Sequence, residues 1–207
     1  MRILTFTTLY PSATRPAFGL FVENRLRHLV AGGEVEARVV APVPWFPFQG
    51  ARFGVYGAYA RTPPHEVRHG IEVQHPRFPV IPRLGMSLTP RLLARFSRPV
   101  LESLIRDGYD FDLIDAHYFY PDGVAAAILG RMLKKPVVIT ARGTDLNVFP
   151  DYPAARRQIE WAADAASGLI TVNRALADRL RSLGAAPDKI RVLSNGEDLD
   201  LFRPVNR

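Results

Sequence analysis

The stretch FDLIDAHYFYPDGVAAAILGRMLKKPVVIT (111–140) decides the fold class of this chain. Apolar runs at 111–117 and 136–140 predict buried strands, and the segment 121–133 between them predicts a helix. Two strands that are joined by a single helix run parallel in one sheet. Because neither strand alternates apolar with polar residues, helices should cover both faces of that sheet.

The same alternation continues on both sides of this unit. Further strands are predicted at 2–8, 35–42, 168–173 and 189–195, and further helices at 21–31, 152–166 and 174–184. The pattern favours an α/β fold with a Rossmann-like parallel sheet, formed by one domain over residues 1–207.

Residues 42–99 interrupt this pattern. They contain 10 of the 18 prolines and an aromatic cluster between Trp45 and Tyr59. The segment HEVRHGIEVQHP predicts a hairpin that turns at His69-Gly70. Residues 89–108 predict either one helix with a kink near Pro99 or two helices. We expect 42–99 to be an insertion that packs on the sheet edge or stands out as a lobe.

The composition excludes several classes of protein. With 47% hydrophobic residues the chain is not of the disordered class. The absence of cysteine removes disulfides, thiolate metal sites and cysteine nucleophiles, and it fits a reducing compartment such as the cytoplasm. No apolar run approaches the roughly 20 residues of a membrane-spanning helix. An early proline argues against reading the first residues as an export signal.

The net charge of +7 is carried by the first half, where residues 1–106 hold 14 arginines and 6 glutamates. A basic surface attracts the phosphates of nucleic acids, anionic lipids or nucleotides. A GC-rich genome that uses arginine as its general solubilising cation would give the same composition.

The dinucleotide fingerprint, the P-loop and the hydrolase elbow are all missing from the sequence. Three histidines near the hairpin lack a carboxylate cluster, so no metal site is expected.

Polar and turn-forming residues follow five of the predicted strands. Ligands of open parallel sheets bind outside the carboxyl ends of the strands, so these residues should line one cleft. The candidates are Phe18 and Gly19; His117, Tyr118 and Asp122; Arg142, Gly143, Thr144 and Asp145; Asn173; and Asn195 and Glu197.

Each main candidate has a functional and a structural interpretation. Gly19 precedes a helix whose positive N-terminus could bind a phosphate, or it only turns the chain. His117 could act as a general base or bind a hydroxyl, or it is a packed, hydrogen-bonded histidine. Arg142 is always charged and could hold a phosphate or a carboxylate, or it pairs with Asp145. Asp145 could accept hydrogen bonds from a sugar, or it caps a helix. Asn195 belongs first of all to a turn.

The ordered motifs resemble the N-terminal half of the family 4 (group 1) retaining glycosyltransferases, which use nucleotide-sugars and have the GT-B fold. Four stretches carry the resemblance: Tyr10-Pro11 followed by Phe18-Gly19 and FVE; FDLIDAHYFYPDG; KKPVVITARGTD; and KIRVLSNGEDLDLFRP. In the family the last two commonly appear as a strand followed by H-G-x-D and as an N-G-x-D run followed by F-x-P. Arg142 departs from the pattern, because many members have histidine there.

The resemblance implies transfer of a sugar from a nucleotide-sugar to an acceptor hydroxyl with retained configuration, without a metal or other cofactor. Gly19 would approach the donor phosphates, and His117, Gly143 and Asp145 would line the acceptor side. Asn173 and Asn195 would lie deeper in the cleft. Arg142 cannot serve as an acid–base group and would instead support a phosphate or an acidic sugar. His117, Arg142 and Asp145 are the predicted catalytic residues.

The family's donor-binding C-terminal domain is not recognisable in this chain, which is therefore expected to be inactive alone. The predicted acceptor is a lipid-linked or polysaccharide acceptor of cell-envelope or exopolysaccharide synthesis. Residues 42–99 are predicted either to dock on anionic lipid, at the inner face of the cytoplasmic membrane, or only to fill space. Two other functions remain open: a non-catalytic sugar- or nucleotide-binding domain, and a nucleic-acid-binding module. No recognition-helix, RRM or KH signature supports the last, so no nucleic-acid partner is expected.

Overall fold

The computed structural model describes residues 1–80 and 85–196 of the chain. An eight-stranded sheet forms its centre, with the order β10-β9-β8-β7-β1-β2-β5-β4. All neighbours in this sheet are parallel except the β4–β5 hairpin. The strands are β1 Arg2–Phe6, β2 Glu36–Val40, β4 His65–Arg68, β5 Ile71–Gln74, β7 Leu113–His117, β8 Val137–Ala141, β9 Gly168–Thr171 and β10 Ile190–Val192. The predicted parallel α/β sheet is confirmed.

Helices cover the sheet on both faces. They are α1 Leu20–Ala31, α2 Gly54–Arg61, α3 Gly85–Arg106, α4 Val124–Leu133, α5 Thr144–Asn147, α6 Pro153–Ala165 and α7 Arg174–Ser182. Consecutive residues of β1 belong to different apolar cores, because Ile3 and Leu4 point to opposite faces. The core on the Ile3 face includes residues of α1, and the core on the Leu4 face includes residues of α3, α4, α6 and α7.

Residues 42–99 divide among three structures. The predicted hairpin is confirmed as β4 and β5, with positive φ angles of 50° at His69 and 79° at Gly70, and it extends the main sheet beyond β2. Residues 43–62, which we call the aromatic lobe, hold α2 and the short strand β3 Val43–Pro44, which pairs with β6 Arg77–Phe78. Residues 85–99 belong to α3, so residue 99 lies inside a helix rather than at a boundary.

Helix α3 is a single helix, and both Pro90 and Pro99 lie within it. The exposed Pro99 lies on the solvent side, where water can satisfy the carbonyl group that loses its partner. Leu93, Leu101 and Leu104 bury the opposite side against the sheet. Burial of this apolar face stabilises the helix through the proline.

The order in which successive strands are placed in the sheet changes side between β1 and β7. From β1 the chain proceeds to β2 on one side, whereas β7, β8, β9 and β10 follow one another on the other side. The carboxyl ends of β1 and β7 therefore border a crevice, which is where ligands bind in open α/β sheets. Among the described residues, no helix is long and apolar enough to span a bilayer.

Candidate functional site

The loop from β1 reaches helix α1 through Gly19, which adopts a left-handed conformation with φ 76°. A Cβ atom built on Gly19 would lie 2.4 Å from the carbonyl oxygen of Leu9. Only glycine fits this close approach, which explains the residue at this turn, and phosphate binding at the start of α1 stays a prediction. Phe18 beside it is half-buried under the guanidinium of Arg15, whose Cζ lies 3.5 Å from the ring centroid.

A chain of hydrogen bonds links the ends of β7, β8 and β10. His117 Nε2 lies 3.0 Å from Asp115 Oδ2, and His117 Nδ1 lies 2.7 Å from Arg142 Nη2. Arg142 Nη1 donates to Asn195 Oδ1 at 2.8 Å. The side chains of Asp115 and His117 share one sheet face, because they are two positions apart on β7.

These contacts assign the protonation of His117. A guanidinium only donates, so the Nδ1 atom that faces Arg142 must be the unprotonated nitrogen. The Nε2–H group then donates to Asp115. Burial lowers the pKa of His117, and the charges of Arg142 and Arg25 lower it further, against the opposing effect of Asp115. His117 is thus neutral and 1% exposed, with neither ring nitrogen free to take a substrate proton.

Arg142 is held in a partly buried and electropositive position. Its Cζ lies 5.0 Å from the ring centroid of Phe21 in the first turn of α1. Arg25, one turn further along α1, donates to Thr140 Oγ1 at 3.2 Å. Burial lowers the pKa of Arg142 to about 10, and the like charge of Arg25 acts in the same direction. The Nε atom of Arg142 is buried and has no hydrogen-bond partner in the described part of the chain.

Asp145 binds backbone N–H groups rather than side chains. Its carboxylate accepts hydrogen bonds from the N–H groups of Phe119 at 2.6 Å, of Gly143 at 2.6 Å and of Arg142 at 3.0 Å. The side chain is fully buried. The predicted ion pair with the Arg142 side chain does not form, because that guanidinium turns to His117 and Asn195. Nor is Asp145 a helix cap, since the N-cap position of α5 is Gly143.

Asp122 ties the end of β1 to the loop after β7. Its carboxylate accepts from the backbone N–H of Thr8 at 2.6 Å and from the hydroxyls of Thr7 and Thr8. Burial raises the pKa of Asp122 to about 7, although these donors act to lower it. Tyr118, which has φ 81°, is half-buried beside this loop, and burial raises the pKa of its hydroxyl to about 12.

The remaining predicted residues lie at the same edge with different roles. Asn173 caps α7, because its Oδ1 accepts from the N–H of Leu176 at 2.9 Å. Asn195 is exposed and anchors Arg142, and Thr144 is exposed at the start of α5. Glu197 lies outside the described residues.

Two residues of this cluster were not predicted. Asp115 has a sequence signal, since the spacing in Asp115-Ala116-His117 places both polar side chains on one strand face. Arg25 lies on α1 and reaches the cluster only because the tertiary structure brings it to Thr140 at the end of β8, which no local pattern encodes. In residues 1–80 and 85–196, no group of three histidine or acidic side chains is placed to hold a metal ion.

The cluster around Arg142 lies at the carboxyl ends of β7, β8 and β10. The profile of Glycosyltransferase Family 4 matches residues 21–201. The chain belongs to this family. Its sheet and helices form the Rossmann-like N-terminal domain that the sequence motifs predicted.

Two relatives and one solved structure illustrate the similarity. TuaC of Bacillus subtilis (strain 168), whose name assigns it to teichuronic acid biosynthesis as a glycosyltransferase, is 30% identical over 208 residues, which cover 98% of this chain and 51% of TuaC. D-inositol 3-phosphate glycosyltransferase 1 of Catenulispora acidiphila is 31% identical over 191 residues, covering 86% of this chain and 44% of the relative. The chain thus spans about half the length of these relatives.

The solved structure of HepE from Anabaena, in complex with UDP, has the same fold. It superposes with a TM-score of 0.57 at 18% identity, over 97% of this chain and 46% of HepE.

Proposed function

We propose that this chain is the acceptor-side domain of a retaining glycosyltransferase that moves a sugar from a nucleotide-sugar to an acceptor hydroxyl. The observation that carries the proposal is Arg142, held by His117 and Asn195 at the carboxyl ends of the parallel strands. A guanidinium that is fixed by its neighbours can bind a substrate group without first losing side-chain entropy. The UDP complex of HepE supports a nucleotide-sugar as donor.

In this proposal the acceptor carries a negative charge. Arg142 and Arg25 place two positive charges at the cluster and His117 is neutral, while the carboxylates of Asp115 and Asp145 are each engaged by hydrogen-bond donors of the protein. Because these carboxylates already accept from protein donors, the guanidinium of Arg142 in a partly desolvated site favours a phosphate or carboxylate as its ligand. The names of the two relatives point the same way, since teichuronic acid and D-inositol 3-phosphate are both anionic. The acceptor class is therefore an acidic glycan or a sugar phosphate of cell-envelope polysaccharide synthesis.

His117 and Asp145 are assigned positioning roles. His117 orients Arg142, and Asp145 joins the loop of residues 142–145 to Phe119 through three backbone N–H groups. Gly19 lets a donor phosphate approach the N-terminus of α1, where the helix dipole is positive. Gly143 and Thr144 face the acceptor, and no metal is required.

The donor-binding groups are proposed to lie in a second domain of the natural protein, so that the present chain does not turn over alone. Sequencing of the coding DNA beyond codon 207 tests this point, with a further α/β domain as the expected result. A stop codon directly after Arg207 would instead favour a non-catalytic sugar- or nucleotide-binding domain.

Transfer is tested on the natural full-length protein with a panel of nucleotide-sugars. Anionic and uncharged forms of one acceptor are compared, and the anomer of the product is determined by NMR. We expect a retained configuration and a preference for the anionic acceptor. The Arg142→Gln variant should lose about tenfold or more in kcat/KM for the anionic form and little for the uncharged one, since a hydrogen bond to a charged group contributes more. Equal losses for both acceptors would remove the anionic-acceptor proposal.

Membrane docking by residues 42–99 is a separate proposal about localisation. In the aromatic lobe Trp45 is 58% exposed, Phe48 55% and Tyr56 49%. Arg52 and Arg61 lie on the same lobe. Exposed aromatics beside arginines suit the interface of an anionic membrane. We expect the protein to float with anionic vesicles and to be released by salt, with less flotation for Trp45→Ser. No salt-sensitive flotation of the wild-type protein would contradict docking.

A further inference from the structure

A cavity of about 550 Å³ lies between helices α3, α4 and α6 and shares no lining residue with the cluster around Arg142. Its size falls in the roughly 300–1,000 Å³ range of small-molecule sites. Residues of the first turns of all three helices line it, so three helix N-termini point toward this end of the helix layer. The lining includes Ser87 and Leu88 of α3, Val124 and Ile128 of α4, and Ala154 and Trp161 of α6.

The polar groups of this cavity favour an anion. Arg91 of α3 and Arg157 of α6 both line it. Over residues 1–80 and 85–196, neither arginine has a carboxylate partner, whereas the neighbouring Arg156 is paired with Glu160. The positive ends of the three helix dipoles add to the same field. Gln158 donates from Nε2 to the carbonyl of Ser87, but its buried Oε1 has no donor within the described structure.

A second cavity of about 620 Å³ continues from the first along α3 and α4. The two share Arg91 and Ile128 as lining residues. Its lining combines apolar side chains with Arg95 and the ion pair of Arg98 with Glu102. Among the apolar ones, Phe96 and Met132 are 42% and 46% exposed. Large apolar side chains that are exposed to solvent beside a cationic cavity indicate a ligand with an apolar part.

We infer that this continuous groove binds an anionic lipid with a single chain in the groove. The headgroup lies between Arg91 and Arg157, with a hydroxyl or P–OH group donating to Gln158 Oε1. The chain runs past Ile128 to Phe96 and Met132. The inference concerns binding only and stands independently of the proposed transfer reaction, because no donor or acceptor sugar is needed to observe it.

Trp161 lines the same cavity as Arg91 and Arg157, so its fluorescence can report binding of the headgroup. A Trp45→Phe background leaves Trp161 as the only tryptophan, since the chain has two. Its fluorescence is titrated with dodecyl phosphate, dodecyl maltoside and inorganic phosphate, each below any micelle-forming concentration. We expect saturable binding of dodecyl phosphate, at least about tenfold weaker binding of the uncharged maltoside, and no response to inorganic phosphate.

Variants separate the two ends of the groove. Arg91→Gln combined with Arg157→Gln should weaken dodecyl phosphate by at least about tenfold, because both charge-assisted hydrogen bonds are lost. Arg156→Gln on the same helix should leave binding unchanged. Met132→Gln should weaken dodecyl phosphate but not hexyl phosphate, whose chain does not reach that far. Circular dichroism checks the fold of each variant.

Three outcomes would overturn the inference. They are no saturable response to dodecyl phosphate, an equal response to inorganic phosphate, and an equal loss of binding in the Arg156→Gln control. The transferase proposal would be untouched by any of them, since Arg142 takes no part in this groove.

Discussion

Arg142 shows how one side chain sets the chemistry of its neighbours. Its Nη2 donates to His117 and its Nη1 to Asn195, so the histidine is kept neutral and the loop after β10 is anchored. The family's usual histidine at this position could exchange a proton, whereas a guanidinium cannot in the physiological range. The consequence for the site is electrostatic: it offers fixed positive charge rather than an acid–base group.

The first prediction concerns the titration of His117. In Arg142→Gln the pKa of His117 should rise, because a nearby positive charge is removed while Asp115 remains. NMR of the imidazole nitrogens should show a neutral wild-type His117, with the proton on Nε2, well below pH 6.5. Arg156→Gln, which removes an exposed arginine of α6, should leave the titration unchanged. Identical curves for wild type and Arg142→Gln would contradict the assigned contact.

The second prediction concerns Asp122 and pH. Its folded-state pKa is raised from 3.8 to about 7, so the proton is bound more tightly in the folded than in the unfolded chain. Protonation of Asp122 therefore adds fully to the free energy of unfolding below pH about 4. As the pH rises, this contribution falls by roughly 1 kcal/mol per pH unit, and it is lost above pH about 7. Asp122→Asn should abolish this decline, as measured by urea unfolding at several pH values.

The exposed Asp178, which pairs with Arg181 on α7, supplies the control for this experiment. Asp178→Asn should follow the wild-type dependence on pH between 4 and 7. Parallel curves for wild type and Asp122→Asn would show that the carboxyl group titrates normally.

Among the elements, helix α1 depends most on a single backbone position. Its N-cap Gly19 has φ 76° and makes no side-chain capping bond, and a Cβ would collide with the backbone of Leu9. The start of α1 is therefore fixed by the loop from β1 rather than by a capping side chain. This fixed start places Phe21 and Arg25 over the end of β8.

The third prediction compares two glycines of this region. Gly19→Ala should lower the free energy of unfolding by about 2–4 kcal/mol, because left-handed strain and a backbone collision combine. Gly33→Ala, just after the same helix, has a similar φ of 78° but no atom within 4 Å of the new Cβ. It should cost only about 1 kcal/mol. Urea unfolding measures both, and equal losses would mean that the collision with Leu9 is relieved at little cost.

For the whole molecule, the aromatic lobe is attached to the sheet rather than separate from it. Arg15 Nη1 donates to the hydroxyl of Tyr59 at 3.0 Å, and the hydroxyls of Thr14 and Thr62 lie 2.8 Å apart. Arg77 donates to the backbone carbonyls of Tyr59 and Thr62. The bonds of Thr14 and Arg15 join the lobe to the loop after β1, and those of Arg77 join it to β6.

The fourth prediction follows from this attachment. The lobe and the sheet should unfold in one transition, because the lobe has few buried apolar residues of its own. In Trp161→Phe the fluorescence of Trp45 reports on the lobe, and far-UV circular dichroism reports on the helices. Their urea midpoints should coincide, as they should for Trp161 in Trp45→Phe. An earlier midpoint for Trp45 would show that the lobe unfolds alone.

The order of strands and helices could be derived from the sequence by itself. Apolar runs without polar alternation and helices with one apolar side are local patterns, and burial in a parallel sheet produces them directly. The candidate cleft followed from the same logic, since residues after parallel strands gather at one edge. Predicted strand ends differ from the observed ones by a few residues, because local patterns mark boundaries weakly.

The partners of the site residues were decided only by the tertiary structure. The carboxylate of Asp145 lies three positions from Arg142 in the sequence. The guanidinium of Arg142 nevertheless bonds to His117 and Asn195, which are 25 and 53 positions away. The carboxylate of Asp145 accepts instead from three backbone N–H groups. Hydrogen bonds between distant residues depend on how helices and strands pack, and that packing is a property of the whole chain rather than of any local pattern.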